Sequence, residues 1–118
     1  MSAVTLVYPH QLFAHHPAER EGQPLLLMED PLYFGGDPRW PLAVHKQRLV
    51  LHRASMKAWA AGRKDVRYLE APEAGVGSME LLERGLPAGV GRIELADPCD
   101  DVLSRRLRRF AETRGIEL

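Results

Sequence analysis

Two short unbroken apolar runs, Thr5 to Tyr8 and Leu25 to Met28, are each closed by proline or acidic positions, which predicts strands buried on both faces. Between them, Leu12 to Glu21 has no sustained period and places His15-His16 before Pro17, so it reads as a solvated loop or a single helical turn. The stretch Arg39 to Gly62 predicts a long helix that follows a connection of Gly35, Gly36, Asp37, Pro38 and Pro41, starts at His45 to Arg48 and stops at the glycine. At 100° per residue its inward arc holds Val44, His45, Arg48, Leu49, Leu51, His52, Met56, Ala58 and Trp59, with Lys46, Arg53 and Lys57 opposite.

Asp65 to Ala71 sets Val66, Tyr68 and Glu70 against Arg67 and Leu69, the mixed pattern of a strand at the sheet's border. A short helix follows, with Ser78 as its N-cap and Gly85 as its end, then a turn over Pro87 to Gly91 and a fourth strand, Arg92 to Ala96. The final helix begins in Asp97-Pro98-Cys99-Asp100-Asp101, where carboxylates suit the positive end of a helix dipole. It turns Val102, Leu103, Leu107, Phe110 and Ala111 inward and is capped by Gly115. Ile116-Glu117-Leu118 has the pattern of an opening fifth strand, so the chain is expected to be an excerpt from a longer protein or a reduced relative of one.

Alternating strands and helices imply an α/β architecture: a doubly wound, mainly parallel sheet of four to five strands with helices on both faces. Ligands of such sheets bind beyond the carboxyl ends of the strands. Those ends are Pro9-His10-Gln11, Glu29-Asp30-Pro31 and Asp97-Pro98-Cys99, and the helix start, His45 to Arg48, is expected beside the second.

The 118 residues suit one domain that needs no metal or disulfide to fold. Sixteen basic and sixteen acidic residues cancel, leaving no global field for nucleic acid or an anionic membrane. One cysteine, Cys99, rules out an internal disulfide and a four-cysteine metal site within these residues. No run has membrane-span length and the N-terminal residues lack a signal-peptide pattern, so a cytoplasmic location is expected.

Among candidate chemistries, His45 with Arg48 could hold a phosphate or a polar ring edge, or Arg48 could simply pair with Glu29 or Asp30. His52 reads as a hydrogen-bonded core histidine. Asp97, Asp100 and Asp101 could contact ribose hydroxyls or magnesium, though helix capping explains them more simply. The histidines and Cys99 lack compact zinc-ligand spacing. Arg105, Arg106, Arg108 and Arg109 read as a solvated face paired with Glu112 and its neighbours. No Gly-rich phosphate loop, nucleophile elbow or paired-carboxylate motif is present, and no catalytic residue is assigned.

The ordered segments YPHQLF (Tyr8 to Phe13), HP (His16-Pro17), LLMEDPLYF (Leu26 to Phe34), HKQRLVLHRASMKAW (His45 to Trp59), VRYLE (Val66 to Glu70) and ADPCDD (Ala96 to Asp101) carry a resemblance. Together they resemble the N-terminal domain of the prokaryotic deoxyribodipyrimidine photolyase-related proteins of the photolyase/cryptochrome group. The resemblance implies a Rossmann-like antenna domain that binds a ribityl-lumazine or another light-harvesting pigment, in support of DNA repair or blue-light signalling. By matching segment, its implied contacts are Pro9, His10, Gln11, Leu12, Glu29, Asp30, Tyr33, His45, Arg48, Asp97 and Pro98. FAD and, in some branches, an iron-sulfur cluster belong to a helical domain that these 118 residues do not contain, so the chain alone is expected to be non-catalytic. The implied partners are a small-molecule chromophore and a separate FAD-binding helical domain, with no direct nucleic acid and no membrane. A small nucleotide-binding module or hydrolase, or a vestigial interaction domain dimerising through an apolar face near Ile116, are the alternatives.

Overall fold

In the first strand, β1 (Ser2–Val7), the side chains of Val4 and Leu6 enter one apolar cluster and that of Val7 enters another. A strand with both faces covered is a central strand. In the computed structural model, which describes residues 2–35, 37–39, 46–73 and 75–118, β1 pairs in parallel with β2 (Leu25–Met28) on one side and β4 (Val90–Glu94) on the other. β3 (Val66–Leu69) extends the sheet beyond β2, giving the order β3-β2-β1-β4 with every pairing parallel. The border position expected of β3 is met, and its exposed Arg67 faces solvent. Glu117 forms a parallel bridge to Arg92 on the far side of β4, the beginning of the expected fifth pairing.

The helices divide between the two faces. Leu81 and Leu82 of α3 (Ser78–Gly85) and Leu103, Leu107 and Phe110 of α4 (Asp101–Arg114) pack on Val4, Leu6, Leu26, Met28 and Ile93. Met56 and Trp59 of α2 (Lys46–Ala61) join Phe34 of the one-turn α1 (Pro31–Phe34) over Val7, Leu25 and Leu27. An α/β, doubly wound sheet is therefore the architecture, and its two interior strands account for the two unbroken apolar runs.

Several local expectations are corrected. The connection from β1 to β2 is not a solvated loop at His16, which is buried and accepts the Ala18 N–H on Nδ1, while Thr5 Oγ1 donates to Ala18 O. Val44 and His45 lie outside the described residues. The inward stripe of α2 is narrower than expected: Met56 and Trp59 are buried, Leu49 and His52 half-buried, whereas Arg48, Leu51 and Ala58 are exposed. Arg53, expected on the outer face, reaches back to Glu29. Ser78 is the first residue of α3, not its cap; Gly77 is the cap, and the Ser78 side chain turns inward. α1 has a legible start that went unread, an Asp30 N-cap followed by Pro31 at the first helical position.

Candidate functional site

The strand order changes direction between β1 and β4, where a doubly wound sheet opens a crevice at its carboxyl edge. The residues after β1 cross that edge. His10 Nε2–H donates to Pro98 O at 2.8 Å, and a carbonyl can only accept, so the proton sits on Nε2. Gln11 is buried; its Nε2 donates to Ala96 O and Asp97 O at 3.1 and 3.3 Å, while its Oε1 faces the Tyr8 N–H. These bonds tie the first and last strand ends together, as their convergence in the sequence reading required.

Beyond β2 stand two adjacent carboxylates in opposite circumstances. Glu29 accepts from Arg53 Nε and Nη2 at 2.8 and 2.6 Å, from Ala71 N at 2.7 Å and from the Tyr68 hydroxyl. Burial alone would raise its pKa, but the bonds from Arg53, Tyr68 and Ala71 outweigh burial and hold it below the usual carboxylate value. Both of its oxygens are committed to protein donors, and the pairing expected from Arg48 is made by Arg53 instead.

Asp30 is also fully buried. Its Oδ1 accepts from Leu32 N at 2.9 Å and from Ser78 Oγ at 2.7 Å, while Oδ2 has no partner among the described residues. Ser78 Oγ in turn accepts from Arg106 Nη1 at 3.0 Å, and Arg106 grips the buried Asp37 with two bonds of 2.6 and 3.0 Å. Burial is the main reason the Asp30 pKa rises to about 6, against the bonds from Ser78 and Leu32 and the more distant Arg106 charge. Nearby, the Tyr8 hydroxyl is buried without a partner among the described residues, and burial followed by the Asp30 charge pushes its pKa well up.

Two rings border this cluster. The His10 ring lies 4.9 Å from the Tyr33 ring, tilted by 37°, and 6.3 Å from Tyr8. Tyr33 is half-buried, and burial together with Asp100 keeps its hydroxyl protonated far above neutrality.

Of the residues expected at a ligand edge, Pro9, His10, Gln11, Asp30, Tyr33 and Pro98 gather here. Leu12 packs on the α2-side cluster, Asp97 is exposed with its Oδ1 accepting from Cys99 N, Arg48 is exposed on α2, and His45 lies outside the described residues. Asp100 caps α4 by accepting from Leu103 N, as the capping reading expected. His52 is half-buried and edge-on to Phe34, with burial lowering its pKa. Among the described residues no group of three metal-ligating side chains comes together. Sequence reasoning missed Tyr8, Asp37, Ser78 and Arg106; the side-chain bonds joining Arg106 to Ser78 and Asp37, and Ser78 to Asp30, span 28, 69 and 48 positions. Ser78 and Arg106 carry plausible local roles, cap and solvated face, that concealed their distant ones.

The all-parallel sheet with helices on both faces is of the α/β doubly wound class. The comparison with protein families is more particular. The chain belongs to the deoxyribodipyrimidine photo-lyase-related protein family, whose model matches residues 5–118. No curated protein and no solved structure gives a significant match. No helix among the described residues is long and apolar enough to cross a membrane.

Proposed function

We propose that this chain is an antenna-chromophore-binding domain of a photolyase/cryptochrome-related flavoprotein, supporting DNA repair or blue-light signalling without catalysis of its own. The observation that carries this reading is the pair of buried atoms at the strand ends without a partner among the described residues, Asp30 Oδ2 and Tyr8 Oη, beside the His10 and Tyr33 rings. Leaving two such atoms unbonded costs about 1–3 kcal/mol each, a cost that a polar heterocycle bonding there would relieve. A ribityl-lumazine or a related pigment offers N–H and carbonyl groups on a flat ring, and the donor set fits it: Asp30 as acceptor, Tyr8 as donor, His10 and Tyr33 as stacking surfaces. The bound pigment would supply light absorption. FAD and any iron-sulfur cluster would reside on a separate helical domain, to which excitation would pass.

The test is titration of the purified protein with a ribityl-lumazine and with a flavin, followed by absorption and fluorescence anisotropy. Tyr8→Phe removes a hydroxyl that has no partner among the described residues, so it should leave the melting temperature unchanged or raise it while weakening pigment binding roughly tenfold. Failure of every pigment to bind the wild-type protein would overturn the reading.

A further inference from the structure

Arg105, Arg106, Arg108 and Arg109 of α4 do not form one solvated face. Arg105, Arg106 and Arg109, spaced to share one stripe of the helix, line a concavity of about 370 Å³ together with Val102 of α4 and Arg39 of the segment before α2. Two of these four arginines have carboxylate partners. Arg106 is held rigidly by its two bonds to Asp37 and one to Ser78. Arg105 pairs with Asp101 at 2.8 Å, an exposed contact one turn apart that is worth only about 0.3–0.5 kcal/mol and yields to a stronger anion. No ion pair among the described residues engages Arg39 or Arg109, and both are exposed.

The same Asp37 that fixes Arg106 also sets Arg39. Its Oδ1 accepts the Arg39 backbone N–H at 3.0 Å, so one fully buried carboxylate organises both walls of the concavity. Like charges converging on a hollow repel each other, and that repulsion is relieved by an anion that receives forked donors from several sides. A larger groove of about 600 Å³ adjoins the hollow, shares Arg39, Arg106 and Arg109 with it, and continues over Pro38, Gly77 and Met79 to a mixed-charge end with Glu80, Glu83, Arg84 and Arg114.

We infer that this arginine hollow is an anion site for a chain of consecutive phosphates, either a bare oligophosphate or the phosphates of a nucleotide whose remainder lies along the adjoining groove. Arg106 links it to the strand-end cluster through Ser78, but the inference does not rest on pigment binding there. The phosphodiester backbone of nucleic acid is disfavoured, because the guanidiniums converge on a hollow with no aromatic among its described lining residues and the formal charge of the chain is zero.

Calorimetric titration of the full chain with tripolyphosphate, with ATP and with a short single-stranded DNA tests this. Tripolyphosphate and ATP should bind saturably and more weakly as salt rises from about 50 to about 300 mM. Arg39→Ser and Arg109→Ser should each weaken binding roughly tenfold with unchanged melting temperature, because neither guanidinium has an ion-pair partner to lose. Arg108→Ser, exposed on the same helix but outside the hollow, should change affinity less than about twofold. Equal affinity for the two ligands supports a bare oligophosphate, and tighter ATP binding supports a nucleotide. Absence of binding to both, loss in Arg108→Ser equal to that in Arg109→Ser, or binding of DNA alone would overturn the inference.

Discussion

Asp30→Asn isolates the energetic consequence of burying a carboxyl without enough donors. In the unfolded chain this group ionises near its ordinary value of 3.8, whereas in the fold its pKa rises to about 6. Between those values the folded state binds more protons than the unfolded state, so stability falls as pH rises. The contribution is fully present below about pH 4 and lost as pH passes through about 6. A displacement of about two pH units corresponds to roughly 3 kcal/mol, undiminished by solvent because the side chain is fully buried. The amide oxygen of the variant can still accept from Leu32 N and Ser78 Oγ, so the cap of α1 survives. Urea denaturation of both proteins across about pH 3.5 to 7.5 should show the wild type losing roughly 3 kcal/mol relative to Asp30→Asn, with the difference flat on either side of that window. Parallel stability curves over the whole range would refute the argument. Glu29 carries the opposite sign and contributes equally to both proteins, so the difference between them removes it.

Other outcomes follow from particular contacts. Arg53→Met should destabilise by about 2–4 kcal/mol in urea denaturation at pH 7, since it strips two bonds from a buried carboxylate. That loss should shrink on acidification through the Glu29 pKa, which is lowered in the wild type, as protonation removes the stranded charge. Gly85→Ala should destabilise by about 1–2 kcal/mol despite a better helix propensity, because the new Cβ would overlap Leu69 Cδ1 and lie 2.9 Å from its Cγ. Adding Leu69→Ala should make the Gly85→Ala step neutral or favourable in a double-mutant cycle. Trp59→Ala should cost about 3–5 kcal/mol, removing a buried indole that also donates to Phe13 O at 2.8 Å, as read from thermal melting. Arg48→Ala should leave both pigment binding and melting temperature unchanged, because Arg48 is exposed on α2.

The amino-acid sequence by itself determined the order of elements and which strands are interior. Those properties follow from local rules: TLVY and LLLM have apolar side chains at successive positions, which only a strand covered on both faces can bury. It likewise determined the Asp100 and Gly115 caps, since a cap needs only neighbours within one turn. Through topology it also implied that the strand ends converge, and His10, Gln11, Asp30 and Tyr33 do meet there.

Only the tertiary structure decided what each polar group does. Glu29 and Asp30 are neighbours of similar chemistry, yet one receives four donors and the other is left with an open oxygen, because strand alternation sends their side chains to different faces. Arg53 rather than Arg48 reaches Glu29 because the buried stripe through Met56 and Trp59 fixes the rotation of α2, which the apolar pattern alone left too broad. Arg106 looks like any other arginine in RRLRR until Asp37, 69 positions away, is folded against it. Long-range pairing leaves no local trace in the chain, so the chemistry of both the strand-end cluster and the arginine hollow exists only once the sheet and its two helical layers are assembled.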